Sequence, residues 1–188
     1  NMGFPAGVDP VQWQPQATDK SMEPSPALSM THLPNDPSKT RQVAILFAEG
    51  ADGATISRLK TALAKAGAAG RLVGRRLGPI DTSTGPMDPE FSLFTTKSVL
   101  FDAVFVAGGA AGLESDDAAL SFAREAFQHY KPIGASGSGS AVLDRAGVSG
   151  AKPHPKAGPG ADPSAGVVLG NGAAALDGFL LALKQGRH

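Results

Sequence analysis

The chain has 188 residues, of which 41% are hydrophobic and 18% are charged, and this length and composition suit one globular domain with a hydrophobic core. Its 17 basic residues balance 17 acidic residues, so the charge gives no reason to predict a nucleic-acid groove or an anionic membrane surface. The absence of cysteine excludes disulfides, thiolate nucleophiles, iron–sulfur clusters and zinc ribbons.

No apolar run approaches the roughly 20 residues that span a bilayer, and the first residues lack the basic, apolar and small-residue order of a signal peptide. Together with the missing cysteines, this favours a cytoplasmic protein. Because the chain opens on Asn1 rather than on an initiator Met, we expect a piece of a longer protein. Neither nucleic acid nor membrane is an expected partner.

Residues 1–40 are rich in Pro, Ser, Gln and Asp and show no sustained apolar period, which predicts an extended linker or arm. Trp13 and the apolar patch at 27–30 are the residues by which this arm would dock onto a neighbouring surface. The pattern changes at residue 41, and the segment 41–188 is predicted to form the folded domain.

The folded domain opens with VAILF at 43–47, an apolar run typical of a strand buried on both faces. Apolar residues at helical spacing follow, with Gly67 as the expected helix stop, and a second strand begins at Leu72. Such a strand–helix–strand unit predicts a parallel sheet with a right-handed crossover.

After a turn-rich excursion at 78–97, interpreted as a hairpin, strands and helices alternate to the end of the chain. The predicted segments are a strand at 103–107, a helix at about 116–130, a strand at 132–135, a helix containing Val142 and Leu143, a Pro/Gly-rich loop at about 150–165, a strand at 166–169 and a closing helix around 176–183. The helix at 116–130 is expected to carry Leu120, Ala123, Phe127 and Tyr130 inward. The alternation predicts an α/β fold: a three-layer, doubly wound, mostly parallel, flavodoxin-like sheet.

In such a sheet, ligands bind beyond the carboxyl ends of the strands, where the strand order reverses. Three predicted loops qualify, at 49–53, 107–111 and 136–139. Two of them are glycine-rich, so their backbone N–H groups can approach a ligand and donate to an anion. The candidate ligand-binding residues are Gly108, Gly109, Gly137, Ser138 and Gly139.

The segments LFAEGADG (46–53), FDAVFVAGG (101–109) and YKPIGA (130–135) resemble the class I glutamine amidotransferase superfamily, in particular its branch of intracellular cysteine proteases and deglycases. The resemblance implies a cysteine on a strained turn five residues beyond the proline of the Lys-Pro pair, where this chain has Gly137. The histidine that usually follows is replaced by Ser138, and Asp52 matches the carboxylate of the first loop.

Glycine offers no atom that attacks a carbonyl. The inherited site is therefore expected to be degenerate, with Ser136, Gly137, Ser138 and Asp52 as its remnants and no catalytic residue. Asp52 is either a leftover acid/base group or the N-cap of the following helix. None of the three serines at 136, 138 and 140 fits the Gly-x-Ser-x-Gly elbow, so a structural turn is favoured over a serine nucleophile.

The segments EPSPALSM (23–30) and AFQHYKPI (126–133), with the disabled elbow, resemble the linker and C-terminal domain of large-subunit haem catalases, from about residue 23 to the end. The resemblance implies a parent chain that decomposes hydrogen peroxide with haem, as a tetramer. The expected partners are then the catalase core and sister subunits. The family's haem ligands lie on an earlier β-barrel region, so this chain itself is expected to hold no cofactor.

The other polar groups give weaker signals. The run Gly137–Gly139 lacks the Lys-Ser/Thr pair of a phosphate-binding P-loop. The four histidines are scattered along the sequence without the spacing of metal ligands. Arg71, Arg75 and Arg76 are expected on a solvated face or in intersubunit ion pairs. No metal site is expected.

Three candidate functions follow from these patterns. The first is a non-catalytic accessory domain that stabilises its parent catalase and shields unfolded client proteins as a holdase. The second is an atypical hydrolase or glyoxal-processing enzyme that uses Ser136 or Ser138. The third is a sensor that binds a small ligand at the glycine loops.

Overall fold

A computed structural model describes residues 38–148 and 166–186. Trp13, the patch at 27–30 and the loop predicted at about 150–165 lie outside the described residues, as do three of the four histidines. Within the described ranges, strands and helices alternate as predicted except in the excursion between β2 and β6, which contains no α-helix. The elements are β1 Gln42–Phe47, α1 Gly53–Lys65, β2 Ala69–Gly74, β3 Ile80–Thr82, β4 Gly85–Met87, β5 Phe91–Ser92, β6 Ala103–Val106, α2 Asp117–Gln128, β7 Ile133–Ser136, α3 Ser140–Arg145, β8 Val167–Gly170 and α4 Gly172–Gln185.

The main sheet has six strands in the order β5-β2-β1-β6-β7-β8, and every pairing in it is parallel. The strand order reverses between β1 and β6, which makes this the switch point of a doubly wound sheet. The register pairs Leu46 with Val106 and Val106 with Ala135. The carboxyl ends of β1, β6 and β7 are therefore level, and the loops that follow them meet.

The sheet is covered on both faces. Helices α1 and α4 contact each other, and so do α2 and α3, which gives the three layers of the predicted architecture. The central strands β1 and β6 are buried along nearly their whole length, as expected for parallel strands between two helical layers. Phe105 of β6 meets Phe179 of α4 edge to face, with ring centroids 5.3 Å apart. The predicted fold class is confirmed.

The excursion after β2 contains the predicted hairpin, in which β3 pairs with β4 in antiparallel fashion. The sequence did not indicate β5, which adds two residues to the edge of the main sheet by pairing Phe91 with Val73 and Ser92 with Gly74. A strand of two residues is too short to show an alternating pattern.

The prediction that Tyr130 points inward is wrong. Helix α2 ends at Gln128, and its buried face consists of Ala119, Phe122, Ala123 and Ala126, whereas Leu120 and Phe127 are only partly buried against the core. Tyr130 lies beyond the end of the helix with a φ of +55° and is 67% exposed. The sequence pattern predicts the end of this helix about two residues too late, because the backbone leaves the helical conformation after Gln128.

No helix within the described ranges combines the length and the apolar character needed to cross a bilayer.

Candidate functional site at the carboxyl edge of the sheet

The three loops predicted to form a site do meet at the carboxyl edge of the sheet. The amide of Asp52 donates to the carbonyl of Gly108 at 2.8 Å, and the amide of Ala111 donates to the carbonyl of Glu49 at 3.0 Å. Beside this junction lies an open cleft of about 280 Å³. Its lining residues are Asp52, Thr55, Arg58, Gly108, Gly109, Ser136, Gly137 and Asn171.

Three glycines of the junction are required by contacts between backbones. A Cβ on Gly108 would lie 2.6 Å from the carbonyl oxygen of Ser136, and a Cβ on Gly109 would lie 2.6 Å from that of Gly50. A Cβ on Gly139 would meet the carbonyl of Val106 at the same distance. These contacts are with neighbouring backbone, so close packing of the loops already explains the glycines that the sequence suggested for ligand approach.

The N–H groups of the glycine loops donate to side chains of the protein itself. The amide of Gly108 donates to Ser136 Oγ at 3.0 Å, and the amide of Gly109 donates to Ser138 Oγ at 2.8 Å. The amide of Gly137 donates to Asn171 Oδ1 at 2.9 Å. An oxyanion hole needs donors that point at the reacting oxygen, and these three point at hydroxyl and amide oxygens of the chain.

Gly137 keeps the backbone of a strand-to-helix elbow. It follows β7, begins a 3-10 turn over Gly137–Gly139 and has a φ of +51°. The nearest atoms to a Cβ at this position would be Asn171 Oδ1 at 3.6 Å and the Cα of Gly108 at 3.8 Å, which are ordinary contact distances. A side chain therefore has room here, although the positive φ still favours glycine.

Asp52 is the N-cap of α1. Its carboxylate accepts a hydrogen bond from the amide of Thr55 at 3.1 Å and another from the Thr55 hydroxyl at 2.6 Å. The hydrogen bond from the Thr55 hydroxyl, followed by that from the Thr55 amide, holds the pKa of Asp52 below its usual range, and the nearby Arg58 charge adds to this. The capping interpretation is confirmed. A carboxylate held ionised in this way is a poor proton donor near neutral pH.

No histidine lies near the serines among the residues that the structure describes, and the carboxylate that shares the cleft with Ser136, that of Asp52, accepts hydrogen bonds from Thr55. His129 is the one histidine in those ranges, and it lies between the end of α2 and the start of β7. That position is at the amino edge of the sheet, opposite to Ser136 and Ser138. Lone serine hydroxyls without a base are weak nucleophiles.

Sequence reasoning missed three residues of the cleft: Thr55, Arg58 and Asn171. Asn171 carried a signal, because it follows β8 and precedes α4, where an Asn is typical of a helix N-cap. Its side chain makes no capping bond and instead holds the Gly137 amide.

The three arginines of the predicted basic patch have acidic partners within the chain. Arg75 pairs with Asp116 at 2.7 Å, Arg76 with Glu49 at 2.9 Å, and Arg71 with Glu90 at 2.8 Å. All three arginine side chains are substantially exposed, so each pair contributes little to stability.

Comparison with known families decides the relationship. The family described as the C-terminal domain found in long catalases matches residues 39–188. The chain belongs to this family. The resemblance to this family that the sequence indicated is thereby confirmed.

The curated relatives are catalases. Catalase HPII of Pseudomonas aeruginosa is 36% identical over 161 residues, which are 84% of this chain and 21% of the relative. Catalase HPII of Mycobacterium avium is 35% identical over 71% of this chain and 20% of its own length, and Catalase-2 of Bacillus subtilis is 34% identical over 66% and 18%. The chain thus spans about a fifth of the length of these relatives.

Solved structures support the fold. A ThiJ/PfpI domain protein from Brachyspira murdochii has a TM-score of 0.64 at 18% identity, covering 78% of this chain and 96% of its own. A ThiJ/PfpI family protein from Pseudomonas syringae has the same TM-score at 20% identity, covering 91% and 78%.

The described side chains that line the cleft include no His, Cys, Met or Tyr, which are the residues that hold haem iron in proteins, so the cleft does not fit a haem. Tyr130, the one tyrosine of the sequence, lies on the surface at the amino edge, away from the cleft. In the described part of the chain, no three His, Asp or Glu side chains are grouped closely enough to hold a metal ion.

Proposed function

We propose that this chain is the non-catalytic C-terminal domain of a long catalase, that the longer protein decomposes hydrogen peroxide, and that the domain stabilises it. One observation carries the non-catalytic part of the proposal. At the elbow, Gly137 has no reactive group and its amide donates to Asn171, while Ser136 and Ser138 accept from Gly108 and Gly109. The carboxyl edge is thus held together by the groups that a reaction would need.

The whole-protein activity is inferred from the catalase relatives, of which this chain spans about a fifth. The haem and the residues that hold it belong to the preceding part of the longer chain in this proposal. The partners are that catalase core and the sister subunits of a tetramer, in the cytoplasm. The domain stabilises these partners by binding to them, because a partner that binds only the folded state of a protein shifts the folding equilibrium toward that state.

The test compares the full-length enzyme with a version that ends before residue 38. We expect both to decompose peroxide at similar rates per haem when fresh, and the shortened enzyme to lose activity at a lower temperature. A double variant, Ser136→Ala with Ser138→Ala, serves as a control for hidden chemistry and is expected to leave peroxide decomposition unchanged. Equal heat resistance of the full-length and shortened enzymes would contradict the stabilising role.

We also propose a holdase activity for the detached domain. Six large apolar side chains of the described residues are exposed, at Leu77, Phe94, Val99, Leu100, Tyr130 and Leu181. Exposed apolar surface binds partly unfolded proteins. Light scattering of a heat-labile client measures this activity, and unaltered aggregation at an equimolar amount of the domain counts against it.

A second candidate function is a small-ligand sensor. The cleft of about 280 Å³ supports it, because the Asn171 amide and the Arg58 guanidinium line that cleft beside the Asp52 carboxylate. Thermal-shift measurements with inorganic phosphate, small carboxylates and nucleotides test it, since a ligand that binds only the folded state raises the melting temperature. The serine-dependent hydrolase has weaker support, because the described part of the chain places no histidine beside the two serines and their oxygens accept from the amides of Gly108 and Gly109.

A further inference from the structure

The amino edge of the sheet carries an exposed apolar patch. Val99 is 74% exposed, Leu100 is 61% exposed and Tyr130 is 67% exposed. Val99 and Leu100 belong to the 3-10 turn Ser98–Leu100, which precedes β6. Tyr130 precedes β7, the neighbouring strand. We call these three residues the amino-edge patch.

Direct hydrogen bonds join the two segments of the patch. Lys131, next to Tyr130, is buried, and its Nζ donates to the carbonyl of Ser98 at 2.7 Å. The hydroxyl of Ser98 donates to the Glu125 carboxylate of α2 at 3.2 Å. These bonds fix the turn Ser98–Leu100 relative to α2 and to the segment that carries Tyr130.

Tyr130 is held in an unfavourable backbone conformation. Its φ of +55° falls in the left-handed region, which glycine usually occupies after a helix, and Thr40 is the one other non-glycine residue with positive φ among the described residues. A side chain there costs on the order of 1 kcal/mol. In the isolated domain, a side chain that is 67% exposed gains little burial in return. Burial of the Tyr130 side chain against a partner would offset the cost of its backbone conformation.

The opposite edge has a different surface. At the carboxyl edge the loops carry the ion pairs Arg76–Glu49 and Arg75–Asp116, together with the polar cleft. Two exposed apolar residues also lie at this edge, Leu77 after β2 at 60% exposed and Phe94 after β5 at 88% exposed. They follow different strands, and no side-chain hydrogen bond among the described residues joins their segments in the way that Lys131 joins Tyr130 to the turn Ser98–Leu100. The amino-edge patch has two aliphatic residues and one aromatic residue on the segments that precede two neighbouring strands, and apolar and aromatic residues are typical of the core of a protein interface.

The polypeptide enters the domain beside the patch. The amide of Gln42, the first residue of β1, donates to the Asp102 carboxylate at 2.8 Å, and the amide of Asp102 donates to the carbonyl of Gln42 at 2.7 Å. Asp102 is two residues from Leu100. About four fifths of each curated relative lies outside the match, and the matching family is a C-terminal domain. The bulk of such a chain therefore precedes this edge.

We propose that the amino-edge patch is the surface by which this domain docks onto the preceding, peroxide-decomposing part of the long catalase chain, within one subunit or between subunits. This inference rests on the proposed function and names the face of the domain that it uses. The partner surface is apolar, with a hydrogen-bond acceptor for the Tyr130 hydroxyl.

The test uses the full-length enzyme with single cysteines introduced into this cysteine-free segment. The variants are Leu100→Cys and, as matched control, Leu77→Cys, since the two leucines are 61% and 60% exposed in the domain. The rate of maleimide labelling is measured for each site by peptide mass spectrometry, so cysteines elsewhere in the protein do not interfere. Labelling in urea gives the intrinsic rate of each site, and both variants are repeated in the 188-residue chain.

We expect Leu100→Cys to react at least tenfold more slowly than Leu77→Cys in the full-length enzyme, and the two to react at similar rates in the 188-residue chain. Similar rates in both proteins would overturn the inference. Slow labelling of Leu100→Cys in both would also overturn it, because the cover would then come from this segment or from a second copy of it. The reading frame upstream of Asn1 tests the proposed function separately: without a catalase region there, the proposed function fails, whatever the labelling rates.

Discussion

Two glycines of the cleft look alike in the sequence and are expected to respond differently to alanine. Gly108→Ala places a methyl group 2.6 Å from the carbonyl oxygen of Ser136, a backbone atom of a buried strand that cannot rotate away. Gly137→Ala places its methyl group at least 3.6 Å from its neighbours, but its φ is +51°. Gly108→Ala is expected to destabilise the domain because the methyl group has no space, and Gly137→Ala because alanine disfavours the positive φ.

The expected magnitudes follow from these causes. Overpacking of this kind costs about 3 kcal/mol, and an alanine in the left-handed region costs on the order of 1 kcal/mol. For a domain of this size, each 1 kcal/mol lowers the melting temperature by roughly 2–4 °C. We therefore expect a loss of about 6–12 °C for Gly108→Ala and about 2–4 °C for Gly137→Ala.

Thermal unfolding followed by circular dichroism measures both variants. Gly147→Ala is a control for the conformational cost alone, because Gly147 has a φ of +70° and no atom within 4 Å of its Cβ position. We expect it to match Gly137→Ala. A Gly137→Ala variant as damaged as Gly108→Ala, or a Gly108→Ala variant as stable as the unmodified chain, would refute the assignment of these glycines to loop packing.

Two further predictions concern the polar groups of the cleft. Ser136→Ala is expected to lower the free energy of unfolding by about 1–3 kcal/mol, because it leaves the buried amide of Gly108 without an acceptor. Ser138→Ala removes an exposed hydrogen bond and should cost less than about 0.5 kcal/mol. Urea titrations measure both costs, and equal costs would contradict this prediction. Asp52→Asn keeps a capping side chain but loses the charge, so we expect a cost of about 0.3–1 kcal/mol at pH 7. Since the pKa of Asp52 is lowered on folding, the stability from its charge is fully present above the unfolded value near 3.8 and is lost as the pH falls through the folded value. The unfolding curves of the unmodified chain and of Asp52→Asn should therefore converge below about pH 4. A constant difference between the two curves down to about pH 2 would count against the Asp52–Thr55 bonds as the source of this stability.

Much of the architecture could be predicted because parallel strands buried on both faces leave an unambiguous apolar pattern. The run at 43–47 and the run at 103–107 became β1 and β6, and the loops after them lie where the carboxyl ends of parallel strands must meet. Asp52 was recognised as a cap because capping is a local interaction, which depends on residues three positions apart.

The partners of the cleft residues could not be predicted, because they come from distant parts of the chain. The bond from Gly137 to Asn171 spans 34 residues, and the bond from Gly108 to Ser136 spans 28. Sequence reasoning saw glycines and serines near a switch point and suggested a ligand cradle. It could not show that the serines supply the acceptors for the glycine amides. The ligand role of these residues remains a prediction.

The hydrogen bonds at the elbow also bear on how the site that we propose to be non-catalytic is held in shape. A reactive elbow must leave N–H donors unpaired until charge develops on the substrate, and buried donors without partners destabilise the fold. In this chain those donors are paired, Gly137 with Asn171 and Gly108 with Ser136, and the bonds stabilise the loops. The elbow geometry thus closes the carboxyl edge around the cleft, and the amino edge, with Val99, Leu100 and Tyr130 exposed, is the surface that we propose for docking.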